Sequence, residues 1–499
     1  MNTGMRIAPR WAAAGLAALL GLAGCAAGPD YRRPAMDLPD GYKESGPWKT
    51  AEPGVVDGTR PWWEAYGDPT LSGLIVQANA ANQTIQQAQA QYRQARAAAD
   101  AARAGFWPTA GVSASTQRAR AKSNGMTGVS NGYAAALDVS WEPDLWGAVR
   151  RQVEASDAST QASQASLAAA RLSIQAALAQ DYLQLRAVDR EKDLYARTLD
   201  AYTRTLKLTQ SQYDAGVALR SDVAQAEAQL KTAEAQSIDL DASRSQLEHA
   251  IAILTGRAPA QFSLPPVAAG QPWMFRVPAV PTGLPSDLLE RRPDIAAAER
   301  DVASANAGIG VARAAYFPSL VLSASGGFGA ASFAQWFNAP GRVWSLGALL
   351  AETVFDGGLR KARDAQAVAV FDASAAQYKQ TVLGAFQEVE DNLSTLRVLD
   401  DEARAQDDAV AASLLSERLA LAQYRAGTTT FLTVAVAQAL TLSNERAAVQ
   451  LRGRQLVASV ALVKAVGGGW SADALKTPDT QALAVAGQPQ AANQPTENE

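Results

Sequence analysis

One stretch of the chain, Ala148–Thr255, contains no proline and constrains the fold more than any other feature. It is rich in alanine, glutamine, leucine, serine and arginine, which favour or tolerate helix. Apolar residues recur there at alternating steps of four and three, namely Leu178, Tyr182, Leu185, Tyr195, Leu199, Tyr202 and Leu206. This spacing predicts a seam along which long helices pack side by side.

A short interruption divides the stretch at Tyr213-Asp214-Ala215-Gly216. Gly216 suits the left-handed position that ends a helix, and Ser221 or Asp222 would cap a second helix. The first helix, about Ala148–Ala215, would be roughly 100 Å long at the usual rise per residue. An ordinary coiled coil has the same pattern, so the stretch alone does not identify the fold.

The overall composition favours packed helices over a bulky core. The chain has 499 residues, of which 48% are hydrophobic but only 7% aromatic. Much of the apolar content is alanine, which suits closely packed helices. The formal net charge is only −4, so the composition does not indicate a surface that binds nucleic acid.

The N-terminus predicts export and lipid attachment. Arg6 and Arg10 precede a short apolar segment, Trp11–Leu22, which is typical of a secretory signal and short for a transmembrane helix. The segment runs into Leu-Ala-Gly-Cys, which resembles the bacterial lipobox, and this Cys25 is the only cysteine. We expect cleavage before Cys25 and lipidation of its thiol. The alternative is a plain signal peptide with an incidental cysteine.

Alternation of apolar and polar residues predicts two strands before the long helical stretch. The first begins at Pro108, and the polar, glycine-containing segment Arg118–Gly132 that follows predicts a loop. The second strand places Tyr133, Ala135, Leu137, Val139 and Trp141 on one face, with Asp138 and Glu142 on the other. An apolar face with aromatic residues at both ends is typical of a membrane-barrel strand, although a soluble hairpin has the same period.

The pattern starts again in the second half of the chain, about 210 residues later. Trp107-Pro108 matches Phe317-Pro318, and Tyr213 and Gly216 match Tyr424 and Gly427. Each copy predicts a helix, two strands, a long helix, a turn and a helix. The first copy opens with a helix over about Leu71–Gly105. In the second copy we expect helices over Ser286–Tyr316, Gly358–Ala426 and Thr430–Val466, with strands over Ser319–Gly329 and Val343–Phe355. The last strand alternates too weakly for its faces to be assigned.

Proline-rich segments separate these copies from the rest of the chain. The expected domains are a signal peptide (1–24), a lipidated extended arm (25–70), the first repeat (71–256), a linker (257–285), the second repeat (286–469) and a disordered C-terminal tail (470–499).

Four candidate membrane strands cannot close a barrel within one chain. An open strand edge in lipid leaves backbone groups without hydrogen bonds, at a cost of several kcal/mol each. Two chains would supply eight strands, whose interior fills with side chains, whereas three would supply twelve and enclose a pore. Both strand pairs return to the same side, so the helices would extend from one end of the barrel. The expected fold class is mainly α with a membrane β-barrel.

Six short motifs, in this order, resemble those of outer-membrane factors of the TolC/OprM class, in the lipoprotein, NodT-like efflux branch. They are Gly28-Pro29-Asp30-Tyr31-Arg32-Arg33-Pro34, Leu145-Trp146-Gly147, Arg291-Arg292-Pro293-Asp294-Ile295, Phe355-Asp356-Gly357-Gly358, Tyr424-Arg425-Ala426-Gly427 and Ala465-Val466-Gly467-Gly468-Gly469-Trp470. The resemblance implies a homotrimer in the outer membrane, with a twelve-stranded barrel continued by a twelve-helix barrel in the periplasm. It also implies two partners: a periplasmic adaptor (membrane fusion) protein and an inner-membrane pump of the proton-driven resistance-nodulation-division (RND) class.

The resemblance further implies a gate near the turns at Gly216 and Gly427. In the family a tyrosine before the turn and a leucine after it close the channel, and these positions are Tyr424 and Leu432 here. The alternative is that both are ordinary residues of the helical seam.

The ionic part of the family's gate is less well matched. Where some members have an arginine and an aspartate, this chain has Gln423 and Val436. We therefore expect a closure that is more apolar than ionic, with Asp214, Asp222 and Arg425 as the remaining candidates for polar links.

The sequence offers little for catalysis. The only histidine, His249, lies in a helical context, and a metal site or catalytic triad needs more histidine or cysteine than the chain has. We expect no enzyme and no cofactor, but a passive conduit for drugs or other small molecules in a tripartite efflux pump. The alternatives are the exit duct of a type I protein secretion system and, in a different class, a periplasmic coiled-coil scaffold without a pore.

Overall fold

The computed structural model describes residues 27–37, 39, 41–44, 61–123, 126–267, 270, 275–278 and 287–476. Within these ranges the chain forms four strands and seven helices longer than two turns. In chain order they are α1 (Pro69–Ala81), α2 (Gln83–Ala104), β1 (Thr109–Ser123), β2 (Met126–Trp141), α3 (Ala148–Asp214), α4 (Arg220–Leu254), α5 (Pro293–Ala314), β3 (Ser319–Ala330), β4 (Arg342–Ala351), α6 (Leu359–Arg425) and α7 (Phe431–Ala465). The element order of the two predicted copies is confirmed. Cys25 and the segment beyond residue 476 lie outside the described residues.

The chain divides into two compact units. Among the described residues, the first consists of those up to Met36 with Gln91–Gln164 and Ala297–Lys379, and the second of those within Asp37–Ala90, Ala165–Ala296 and from Gln380 onward. The first unit contains all four strands. The second unit contains most of the length of the long helices.

In the first unit the strands form one antiparallel sheet in the order β1-β2-β3-β4. The hairpin β1–β2 pairs from Thr109↔Ser140 to Ser123↔Met126, without a break in register. The prediction of a loop over Arg118–Gly132 was therefore wrong, because most of that segment belongs to the two strands. Glycine, serine and asparagine favour turns locally, but the continuous ladder of backbone hydrogen bonds outweighs this preference. At the other end of the sheet, β4 stops at Ala351 rather than at the predicted Phe355.

The described part of the N-terminal arm up to Met36 has no helix or strand and is bonded to the helices of the first unit. The hydroxyl of Tyr31 donates to Glu299 at 2.5 Å, and the Nη2 of Arg151 donates to Asp30 at 2.9 Å. The amide of Asn306 also donates to the backbone oxygen of Pro29, at 3.0 Å. Burial and the neighbouring Glu299 raise the pKa of the Tyr31 phenol, so its hydroxyl stays protonated and able to donate. These contacts account for the first of the matched motifs.

The predicted helices over Leu71–Gly105 and Ser286–Tyr316 are each interrupted near their start, so continuity was wrongly predicted. In the first copy the break is at Asn82, whose Oδ1 accepts from the amide of Thr84 at 2.9 Å and begins the next helix. In the second copy the break is at Arg292, one residue before Pro293, as expected for a residue that precedes proline. The two breaks are equivalent positions of the repeat.

Arg292 explains a second matched motif. Its guanidinium is buried in the second unit and binds both carboxylate oxygens of Asp294, at 3.0 and 2.6 Å. It also donates to Glu388 at 2.8 Å and to the backbone oxygen of Ala465 at 2.9 Å. A buried guanidinium needs such partners, and here they connect the start of α5 with α6 and α7.

The helical seam forms as predicted within the second unit. One cluster of buried residues gathers Leu178, Tyr182 and Leu185 of α3 with Ile251 of α4 and Leu456 of α7. Farther along α3, Tyr195 and Tyr202 are buried against Ala233 and Leu240 of α4. A third cluster lies near the C-terminal end of α6 and the start of α7, and it includes Tyr424 and Phe431. Burial of this apolar stripe is what holds such long helices together.

Candidate functional site

The sheet has one strongly apolar face, which is exposed. The register places Val112 beside Leu137, Val139 beside Ala324, and Ala324 beside Leu346. The same face carries Trp344, which is 78% exposed, and Leu346 and Leu350. The register thus assigns the face of β4 that alternation alone left open. Large apolar residues side by side on an exposed face mark a surface that contacts lipid or protein.

The opposite face of the sheet carries mostly small and polar residues, although Val343 and Leu349 of β4 also lie on it. Asp138 lies on it, aligned across the strands with Ser325 and Ser345. Its carboxylate accepts from the hydroxyl of Ser113 at 2.9 Å. The predicted separation of Asp138 from Leu137 and Val139 is therefore confirmed, and the two faces differ as the two sides of a barrel wall do.

Aromatic residues lie at both ends of the apolar face. At the end next to the β3–β4 connection, Tyr133 contacts Phe333 and Trp336, with ring centroids 5.9 and 5.8 Å apart. At the other end, the indole of Trp141 donates to the backbone oxygen of Phe106 at 3.1 Å. From Tyr133 to Trp141 the strand rises about 26 Å, close to the apolar band of about 25 Å found in outer-membrane barrels.

Each hairpin passes into its long helix through the same kind of corner. Before α3, Asp144 accepts from the amides of Val149 and Arg150, at 3.0 and 2.9 Å. Before α6, Asp356 accepts from the amide of Arg360 at 3.1 Å and from its Nε at 2.7 Å. Carboxylates at a helix start satisfy free amides. Neither aspartate was predicted as a functional residue, although Asp356 lies in a matched motif and Asp144 directly precedes one.

The two turns at the far ends of the long helices are also equivalent. Gly216 has φ 75° and Gly427 has φ 72°, the left-handed conformation that glycine adopts without strain. The amide of Val217 donates to Gln212 and that of Thr428 to Gln423, closing both helix ends in the same way. The predicted helix ends at these glycines are confirmed.

The candidate gate residues occupy different environments near the turns. Tyr424 is only 5% exposed, and its ring packs edge-on against Phe431 with centroids 5.7 Å apart. Leu432 is 55% exposed in the single chain. It forms an exposed apolar stripe with Val436 and Leu440, at intervals of one helical turn. The protomer thus brings together Tyr424 and Phe431 but leaves Leu432 uncovered.

Among the candidate polar residues of the gate, Asp214 and Arg425 are exposed and Asp222 is half-buried, and the two aspartates bond locally. Asp214 accepts from the side-chain amide of Gln210 at 2.8 Å. Asp222, rather than Ser221, accepts the amide of Leu219 just before α4, at 3.2 Å. Arg425 lies at the last position of α6 and is exposed. No group of metal-binding side chains occurs in the described part of the chain. Across the same residues, no helix combines the length and apolar character needed to cross a bilayer.

The chain has two helical repeats, and each carries one strand hairpin. The two hairpins form one sheet with an apolar face. This arrangement is typical of a recognised class of protein. A family model described as "Outer membrane efflux protein" matches the chain twice, over residues 74–257 and 284–468. The chain belongs to this family.

Individual relatives agree with this assignment. The chain is 32% identical to the pyoverdine export outer membrane protein OpmQ of Pseudomonas aeruginosa, over 87% of this chain and 93% of that protein. It is also 32% identical to the toluene efflux pump outer membrane protein TtgC of Pseudomonas putida, over 90% of this chain and 93% of that one. The solved structure of the outer-membrane channel OprN superposes with a TM-score of 0.83 at 33% identity, covering 89% of this chain and 100% of OprN. The resemblance inferred from the motifs is confirmed, and with it an outer-membrane location and a role in efflux.

Proposed function

We propose that the chain forms the outer-membrane channel of a tripartite efflux pump and conducts small molecules passively from the periplasm to the exterior. The observation that carries this proposal is the four-stranded sheet. One face is apolar and bounded by aromatic residues, and the other carries Asp138 and serines. A soluble hairpin would have no reason to expose Trp344, Leu346 and Leu350 together.

The edges of the sheet support assembly from several chains. Among the described strands, the outer edges of β1 and β4 pair with no further strand. In lipid these edges need partners, because each unsatisfied backbone group costs several kcal/mol. Pairing β4 of one chain with β1 of the next, in a homotrimer, satisfies both edges and gives a twelve-stranded barrel wide enough for a pore. The likeness to the channel OprN favours the same arrangement.

The helices would continue this pore in the periplasm. Both long helices span 67 residues, about 100 Å at the usual rise, and end at the turns of Gly216 and Gly427. The turns are the end that an adaptor and an RND-type inner-membrane pump would meet. The gate would be closed there by Leu432 from each subunit, with Tyr424 behind it and Asp214, Asp222 and Arg425 as polar links. Lipid on Cys25 would anchor each chain to the membrane.

The substrate class is small molecules rather than proteins. OpmQ is named for the export of pyoverdine and TtgC for the efflux of toluene, and the lipobox branch of the family serves efflux. Neither the scaffold alternative nor a protein-secretion duct has an observation of this kind in its favour.

The test uses the purified full-length protein in detergent. We expect a trimer that resists dodecyl sulfate until heated, and discrete ion-conducting steps in a planar bilayer. Deleting the gene should raise the accumulation of small hydrophobic compounds in cells, and the wild-type gene should reverse this. A protein that stays monomeric or conducts no ions would overturn the proposal in favour of a scaffold. Channel activity with unchanged accumulation would overturn the substrate class.

A further inference from the structure

Three basic residues form a row at the outer end of the first hairpin. Arg118, Arg120 and Lys122 occupy alternate positions of β1 and are exposed. Alternate residues of a strand point to the same side of the sheet, so their side chains leave the sheet together. The composition of this segment predicted a loop, in which the three side chains would not be aligned.

The register shows which side of the sheet this is. Arg118, Arg120 and Lys122 share the parity of Val112, whose partner Leu137 lies on the apolar face. The row therefore continues the apolar face, on the side opposite Asp138. In the barrel that we propose, it faces outward from the pore.

The height of the row follows from the pairing of the strands. Tyr133 pairs with Thr116 on β1 and with Ala330, the last residue of β3. It also contacts Phe333 and Trp336, so it marks the aromatic boundary of the apolar band. Arg118 lies two residues beyond this level and Lys122 six, which is about 7 to 20 Å farther along the strand. In the proposed barrel the cations would thus lie just outside the hydrocarbon layer, at the depth of the lipid headgroups.

The charge of this end of the sheet is one-sided. The two hairpins, residues 109–141 and 319–351, contain four basic residues, Arg118, Arg120, Lys122 and Arg342. Their single acidic residue, Asp138, lies on the opposite face. Along β2 it is nine residues away from Val129, the residue that pairs with Arg120. Arg342 pairs with Phe328, on the apolar side and near the same aromatic boundary. No carboxylate of the hairpins neutralises the outward row.

We propose that Arg118, Arg120 and Lys122 form a binding surface for the phosphorylated headgroups of outer-leaflet glycolipid. The inference rests on the proposed barrel and its orientation. Guanidinium and ammonium groups are the side chains that bind phosphate most strongly. Their outward direction and their position beyond the aromatic residues match a layer of lipid phosphates rather than a solute in the pore. The surface would fix the depth and tilt of the trimer in its membrane.

The test compares the trimer with two triple variants. One is Arg118→Gln/Arg120→Gln/Lys122→Gln. The matched control, Lys207→Gln/Lys379→Gln/Arg418→Gln, removes the same charge from exposed positions of the long helices. Binding of fluorescent diphosphorylated lipid A to the detergent-solubilised trimer is measured at low ionic strength, with dephosphorylated lipid A as the second probe. Each cation near an anionic headgroup contributes about fivefold, so the hairpin variant should bind roughly a hundredfold more weakly.

The control variant should bind lipid A like the wild type, and the wild type should bind the dephosphorylated probe as weakly as the hairpin variant does. Added salt should weaken wild-type binding strongly, because exposed charges are screened. Equal binding by the hairpin variant, or an equal loss in the control variant, would overturn the inference. Trimer formation and bilayer conductance are recorded for every protein. If the wild type itself forms no channel, the proposed function fails; if it conducts and only the lipid comparison fails, the inference alone is wrong.

Discussion

The hydroxyl of Tyr424 donates to Oγ1 of Thr209 across 3.3 Å, and so links α6 of the second repeat to α3 of the first near their turns. Thr209 is fully buried and its own hydroxyl donates to the backbone oxygen of Thr205 at 3.0 Å. Tyr424 therefore bonds within one subunit, between a helix of the second repeat and a helix of the first. Leu432, one residue after Phe431, is left as the apolar residue that faces away from this cluster.

Truncating Tyr424 should loosen the helix ends much more than removing its hydroxyl. Tyr424→Ala leaves a cavity against Phe431 and should cost about 3–5 kcal/mol, whereas Tyr424→Phe loses one hydrogen bond worth about 1 kcal/mol. Hydrogen exchange of the amides near Gly216 and Gly427 measures the loosening, and single-channel conductance measures its effect on the pore. Similar exchange in both variants would show that the ring does not support the turns.

Leu432→Ser should raise single-channel conductance and admit large antibiotics, if three Leu432 side chains close the axis. The comparison is Val436→Ala, one helical turn farther from the end of the tube, which should change little. Because the closure is apolar, wild-type conductance relative to bulk conductivity should depend weakly on salt, unlike that of an exposed ionic lock. Unchanged conductance in a well-assembled Leu432→Ser trimer would place the constriction elsewhere.

The sequence predicted the long helices well because their signals are local. A long segment without proline, a repeated apolar seam and a glycine at its end are enough to bound α3 near Ala148 and Asp214. Strand length was less predictable. Pairing of Arg118 with Asn131 and of Arg120 with Val129 depends on the partner strand, whereas the local composition favours a turn. The basic row on β1 was missed for this reason.

The two repeats differ near the predicted gate, although their motifs match there. Tyr213 and Tyr424 are matched in sequence, yet Tyr213 is 39% exposed and Tyr424 buried. The residue equivalent to Phe431 in the first repeat is Arg220, so Tyr213 has no aromatic neighbour across its turn to pack against. Residue-by-residue comparison of the two halves would have shown this difference, but the shared motif hides it.

Arginine on the two faces of β2 should have opposite consequences. Val139→Arg places a charge on the apolar face and should cost about 2–4 kcal/mol near the middle of the membrane. Asp138→Arg lies on the polar face and should leave the trimer intact while shifting ion selectivity toward anions. The yield of heat-sensitive trimer and the reversal potential in a salt gradient are the measurements. Equal damage from both substitutions would contradict the assignment of the faces.

Lipidation at Cys25 should be abolished by Cys25→Ser, because the thiol is the acceptor and cleavage precedes it. Metabolic labelling with a fatty acid should disappear, and the precursor should remain uncut. Ion conduction need not be lost, since the barrel itself would hold the protein in the membrane. Labelling that persists in Cys25→Ser would rule out this cysteine as the site.

The corner before α6 should weaken in acid. Hydrogen bonds from the Arg360 side chain and from the amides of Arg360 and Gly358 lower the pKa of Asp356 from 3.8 to about 2. A depressed pKa in the folded state means that the stabilisation is present above the unfolded value and is lost as the pH falls through the folded one. Asp356→Asn should therefore lower the temperature of trimer dissociation at pH 7. The difference between this variant and the wild type should shrink as the pH falls from about 4 toward about 2.

The control is Asp372→Asn, which removes the same charge from an exposed position of the same helix without removing a cap. It should match the wild type at pH 7. A difference between Asp356→Asn and the wild type that stays constant down to pH 2 would show that the carboxylate charge does not hold the corner.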